Sequence, residues 1–157
     1  MIFEAVIHEP GEHELMFNGI QLILSIPESA CFERFAIVAH PHPLYQGTMM
    51  NKVVTTTAKA LLNLSIPVIR FNFRGVGKSL GQFDNGIGET EDLLSLIQAW
   101  QKLFPQAKLL LSGFSFGSYV AYRAAQVVPV HGLLLIAPPV FRFDFSSMPM
   151  QKRPDLI

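Results

Sequence analysis

Leu22, Leu24 and Ile26 recur at every second position, the period of a strand that buries one face. Asn18-Gly19 separates this segment from residues 12–17, and an Asn-Gly pair between two such runs closes a two-residue hairpin. The pattern therefore predicts an antiparallel hairpin of strands 12–17 and 20–26. From residue 35 onward the pattern changes. Short, largely apolar runs occupy 35–40, 68–73, 108–113 and 132–137, and such runs read as strands buried on both faces.

Helical periods fill the intervals. Over 51–64, Val54, Ala58, Leu61 and Leu62 share one face, and Asn51 stands where a cap is needed. A second helix is marked by Leu93, Ile97, Trp100 and Phe104 along one face. Thr90 is its expected cap, Glu91 and Asp92 charge its first turn, Lys102 lies in its last turn, and Pro105 stops it. A third runs from about 116 to 127 and carries Gly117, Ala121, Ala124 and Ala125, residues small enough to let it lie close to a sheet. Residues 74–88, rich in Gly, Asn and Asp, read as a loop.

Strands and helices thus alternate after the hairpin. This predicts an α/β fold, a mostly parallel sheet with helices on both faces and an antiparallel hairpin at its N-terminal side. Ligands of such sheets bind beyond the carboxyl ends of the strands. His40, Arg74 and Ser115 all fall just past those ends and are expected to converge.

Composition narrows the class. The 157 residues fit one domain over 1–157, half of them are hydrophobic and 15% are charged, so the chain can bury a core. Formal net charge is zero, with no basic stripe, which argues against nucleic acid or an acidic membrane surface as partner. The single cysteine, Cys31, excludes an intrachain disulfide framework and suits a cytoplasmic location. The first residues carry no signal-peptide pattern, and no apolar stretch reaches the roughly 20 residues of a membrane span.

Candidate chemistry centres on Gly113-Phe114-Ser115-Phe116-Gly117, which follows an apolar strand and opens a helix. That order is the signature of a nucleophile elbow, with the serine thrust out at the tip of a tight turn. A serine hydroxyl needs a base and donors for the oxyanion that forms. The N–H of Phe116 supplies one donor. The loop 40–47 is expected to supply the second, and since prolines have no N–H, His42 and Leu44 are its candidates. His40 and His42 lack the carboxylates or cysteines of a metal set, so no metal is expected and their rings are read as shaping the loop. No cofactor motif is present. Gly77-Lys78-Ser79 resembles the end of a phosphate-binding loop, but Asn72 stands where that motif requires glycine and no helix follows at once.

Taken together, His-Pro-His-Pro-Leu-Tyr-Gln-Gly-Thr-Met at 40–49, Arg-Phe-Asn-Phe-Arg-Gly-Val-Gly-Lys-Ser at 70–79, the elbow at 113–117 and Ala137-Pro138-Pro139 resemble the α/β-hydrolase superfamily. The similarity is to the small bacterial cytosolic hydrolases related to dienelactone hydrolases. The resemblance implies Ser115 as nucleophile, the 41–45 loop as part of the oxyanion hole, and an ester, thioester, lactone or other acyl compound as substrate. It makes 74–79 a turn of that superfamily.

The superfamily order of catalytic groups is Ser, then Asp or Glu, then His. Here the chain closes at Pro154-Asp155-Leu156-Ile157, which resembles the entry into a further strand. The resemblance therefore implies a C-terminally truncated hydrolase lacking its last strands, weakly active or inactive. The alternative is a non-catalytic remnant or binding module of the same fold. His131 precedes its strand and should lie at the far end of the sheet, roughly 20 Å from Ser115 for a strand of about six residues. Asp144 follows the strand and is the candidate acid. His40 and His42 are the remaining candidates for a base. An exposed edge at strand 132–137 predicts self-association.

Overall fold

Six strands form one sheet in the order β1-β2-β4-β3-β5-β6, and the computed structural model describes residues 2–148. The strands are β1 (Gly11–Phe17), β2 (Ile20–Ile26), β3 (Arg34–Ala39), β4 (Val68–Phe71), β5 (Lys108–Phe114) and β6 (Gly132–Ile136). The helices are α1 (Lys52–Leu62), α2 (Ile87–Leu103) and α3 (Phe116–Ala125). β1 and β2 pair antiparallel, and β2 runs antiparallel to β4. The four strands β4, β3, β5 and β6 are parallel. The predicted hairpin forms with Phe17 opposite Ile20, and Asn18 and Gly19 adopt φ of 48° and 78°. Both central residues are therefore left-handed, as a turn matched to strand twist requires.

Neighbouring strand residues feed opposite cores. Phe35, Ile37, Ile69, Leu109 and Leu111 pack with Leu93, Ile97 and Trp100 of α2 and with Val120, Ala121 and Ala124 of α3. Ala36, Val38 and Val68 pack instead with Val54 and Ala58 of α1. This is the expected two-sided cover, with α2 and α3 on one face and α1 on the other. Asn51 caps α1 as expected, its side-chain oxygen accepting the N–H groups of Val53 and Val54.

The start of α2 differs from the expectation. Its cap is Gly86, at φ 92°, and Thr90 lies inside the first turn with its hydroxyl donating to the Gly86 carbonyl at 2.6 Å. The fully buried Glu89 carboxylate reaches back to the N–H groups of Gly86 (3.0 Å) and Asp84 (2.9 Å), while Asp84 accepts from the Gly88 N–H at 2.9 Å. These carboxylates take up N–H groups at the helix start, and the cap lies four residues before Thr90.

Residues 2–8 form turns that carry Phe3 into the core, fully buried, with its ring 5.4 Å from Trp100 and 6.2 Å from Phe17. β6 lies at one edge of the sheet, and its Leu134 is 53% exposed. Among the described residues no helix is long and apolar enough to cross a membrane. Residues 154–157 lie outside the described residues.

Candidate active site

Ser115 occupies the single position between β5 and α3, with φ 53° and ψ −118°. A non-glycine residue held there stores about 1–3 kcal/mol of backbone strain. Two glycines make the turn fit. A Cβ on Gly113 would lie 2.2 Å from the Gly117 carbonyl oxygen, and one on Gly117 would lie 2.3 Å from the carbonyl oxygen of Ala39. α3 therefore meets the end of β3 with no room for a methyl group. The Ser115 N–H donates to the Ile136 carbonyl at 2.9 Å, and the Ser115 carbonyl accepts from the N–H and the hydroxyl of Ser118 at 2.9 and 2.6 Å. The backbone is fixed on both sides, and the Ser115 hydroxyl makes no hydrogen bond among the described residues.

That hydroxyl opens into a cavity of about 160 Å³ walled by Pro41, His42, Tyr45, Phe116, Pro139, Arg142 and Phe143. The His42 ring is central to its aromatic lining, with ring centroids 4.7 Å from Tyr45, 5.0 Å from Phe116 and 6.4 Å from Phe143. Phe116 is the first residue of α3, so its N–H has no intrahelical acceptor and sits at the positive end of the helix dipole.

The two loop histidines differ. His40 is fully buried, with Nδ1 2.7 Å from the Pro41 carbonyl and Nε2 accepting the Phe73 N–H at 3.0 Å. Nδ1 must then carry the proton, and burial lowers the basicity of the ring to a pKa of about 4. Both nitrogens are committed, so His40 holds the ends of β3 and β4 together. His42 caps the short 3₁₀ turn Pro43–Tyr45, its Nδ1 accepting the Leu44 N–H at 3.1 Å. Neutral His42 therefore carries its proton on Nε2. Burial, then the charge of Arg142, pushes its pKa down, and Glu89 opposes them. Of the two loop N–H groups, that of Leu44 is taken by His42. The His42 N–H makes no hydrogen bond among the described residues.

The remaining candidates do not wall this cavity. Arg74 forms a two-pronged ion pair with Asp92, at 2.8 and 2.9 Å. Asp144 is exposed and accepts from the N–H groups of Ser146 and Ser147 and the Ser146 hydroxyl. Those bonds hold its carboxyl below the usual range. His131 precedes β6 at the amino end of the sheet and lines a different cavity with Lys108. The stretch 74–79 closes on itself through Gly75 N–H bonds to Ser79 and Leu80 and a Ser79 hydroxyl bond to Asn72. The Gln21 and Asn72 amides fill the space over Gly77, which leaves no phosphate cradle.

Arg142 and Phe143 wall the cavity beside Tyr45 of the 41–45 loop, and neither was among the sequence candidates. Arg142 lies 5.8 Å over the Tyr45 ring, and this contact joins two loops far apart in the chain. No periodicity signals such a pair. Only the position of Arg142 soon after a strand end hinted at it.

No family model matches the chain. It is 40% identical to an α/β serine hydrolase without a lid from Xanthomonas campestris, with a TM-score of 0.85 over 93% of this chain and 69% of that one. It is 43% identical to an α/β serine hydrolase homologue from Coxiella burnetii, with a TM-score of 0.79 over 87% of this chain and 67% of that one. With its fold and strand–serine–helix elbow, the chain belongs to the α/β serine hydrolases. An uncharacterized protein of Rickettsia prowazekii (strain Madrid E) is 45% identical over 118 residues, 72% of this chain, and the chain spans 50% of that curated relative.

Proposed function

We propose that the protein is a serine hydrolase that cleaves a small ester, thioester or lactone by nucleophilic acyl transfer. The observation that carries the reading is the Ser115 hydroxyl, held in strained backbone geometry between β5 and α3 and opening into an aromatic cavity. Ser115 attacks the carbonyl carbon. The N–H groups of Phe116 and His42 receive the oxyanion, because the Leu44 N–H is bound to the His42 ring. The cavity, about 160 Å³, is small beside the several hundred Å³ of drug-sized sites, which favours a small acyl group. The single cysteine supports a cytoplasmic location.

Among the described residues no side chain stands ready as the base. Both nitrogens of His40 are committed, His42 carries its neutral proton on the nitrogen other than Nδ1, and His131 lies at the other end of the sheet. Asp144 is the candidate orienting acid, yet its carboxylate is engaged by its own turn. The 157-residue chain is therefore expected to turn over slowly or not at all. That the Ser115 hydroxyl has no partner among the described residues also favours the second reading, a non-catalytic module of the same fold. The test is hydrolysis of p-nitrophenyl acetate by the chain and by Ser115→Ala. A slow release of p-nitrophenol that Ser115→Ala abolishes supports the first reading. Equal release by both proteins supports the second.

A further inference from the structure

A second cavity, about 310 Å³, lies away from Ser115, between α1 and the strands β1, β2 and β4, and Glu12, Ser25, Thr56, Lys59 and Arg70 line it. Arg70 is the unusual member. It stands in β4 among Val68, Ile69 and Phe71, all buried, and its own side chain is 4% exposed. A guanidinium there bears a desolvation cost of several kcal/mol, which an apolar residue would avoid. Its Nη1 donates to the Met49 carbonyl at 3.0 Å and lies 3.6 Å from the Met50 sulfur. Its Nη2 donates to Glu12 at 3.2 Å. These bonds leave N–H groups of the five-donor fork without an acceptor among the described residues.

The ion pair is lopsided. Glu12 is on the edge strand and 65% exposed, so its carboxylate can swing into water at little cost, while Arg70 cannot follow. Across the cavity Lys59 makes no ion pair among the described residues, and the hydroxyls of Ser25 and Thr56 make no hydrogen bond there. Two cations and two unengaged hydroxyls thus face one displaceable carboxylate.

We propose that this cavity binds a phosphate group, with Arg70 and Lys59 as its cationic donors, Ser25 and Thr56 as neutral donors, and Glu12 as the carboxylate it displaces. Tetrahedral oxyanions accept from several directions at once, and the guanidinium fork, the ammonium and the hydroxyls approach from a strand on one side and a helix on the other. The site is independent of acyl transfer and stands whether or not Ser115 reacts.

Isothermal titration with inorganic phosphate, against potassium chloride at matched ionic strength, tests it. The unmodified chain should bind saturably at one site. Glu12→Gln, which removes the competing charge, should tighten binding at least threefold, and Lys59→Glu, on the helix surface, should weaken it about tenfold or more. A structural ion pair alone gives the reverse expectation for Glu12→Gln, a less stable protein with no gain in binding. Glycerol phosphate binding more tightly than inorganic phosphate points to a phosphorylated small molecule; equal or weaker binding points to the free ion. No saturable heat, or the same affinity in both variants, overturns the proposal and marks an adventitious ion only.

Discussion

The Nε2 of His40 accepts the backbone N–H of Phe73 at 3.0 Å, and this bond ties the end of β3 to the end of β4 from a fully buried ring. Protonating the ring breaks it. The folded pKa of about 4 lies below the ordinary 6.5, so the unfolded chain binds the proton first. The stabilisation is present above pH 6.5 and is lost as pH falls toward 4, about 3 kcal/mol in all and about 2 kcal/mol between pH 7 and pH 5. Urea unfolding at those two pH values should show that difference, and His40→Asn should remove that part of the slope. An unchanged slope contradicts the assignment.

Replacing Gly117 by alanine should destabilise the protein by more than about 3 kcal/mol. In an ordinary helix the same change stabilises by up to about 1 kcal/mol. The sign reverses because the new Cβ meets the backbone carbonyls of Ala39 and His40 at 2.3 and 2.5 Å. Chemical denaturation of the variant decides between the signs.

Arg142→Ala should raise the titration midpoint of His42, since the charge of Arg142 is one of the causes that lower it. Imidazole resonances followed by NMR across the neutral range give the midpoint directly. A midpoint that stays or falls shows that the two side chains do not meet at the cavity.

Self-association is expected through the β6 edge, where Leu134 is 53% exposed and strand groups left unpaired among the described residues offer a template for another chain. Sedimentation velocity should show a concentration-dependent oligomer, and Leu134→Lys should shift it toward monomer. A compact monomer at all concentrations contradicts this.

Local signals carried much of this fold. Asn18-Gly19 marked its hairpin because both residues must be left-handed, and the alternation of short strands and helices marked the two-sided sheet. Gly113 and Gly117 marked the elbow because backbone atoms close over both. The start of α2 was less legible, since Glu89 and Asp84 hold its first N–H groups from side chains that a search for a single cap residue passes over. Phe3 gave no periodic signal, because it docks from irregular turns onto Trp100. Of the candidate site, only the strand–serine–helix turn that carries Ser115 was legible. The roles of Arg74 and Arg142 depend on partners distant in the chain, Asp92 and Tyr45.

Reaction with a fluorophosphonate probe, read by intact mass and peptide mapping, tests most directly whether Ser115 is the nucleophile. One slow adduct is expected, located on Ser115 and absent from Ser115→Ala. No adduct, or an adduct that persists in Ser115→Ala, contradicts it.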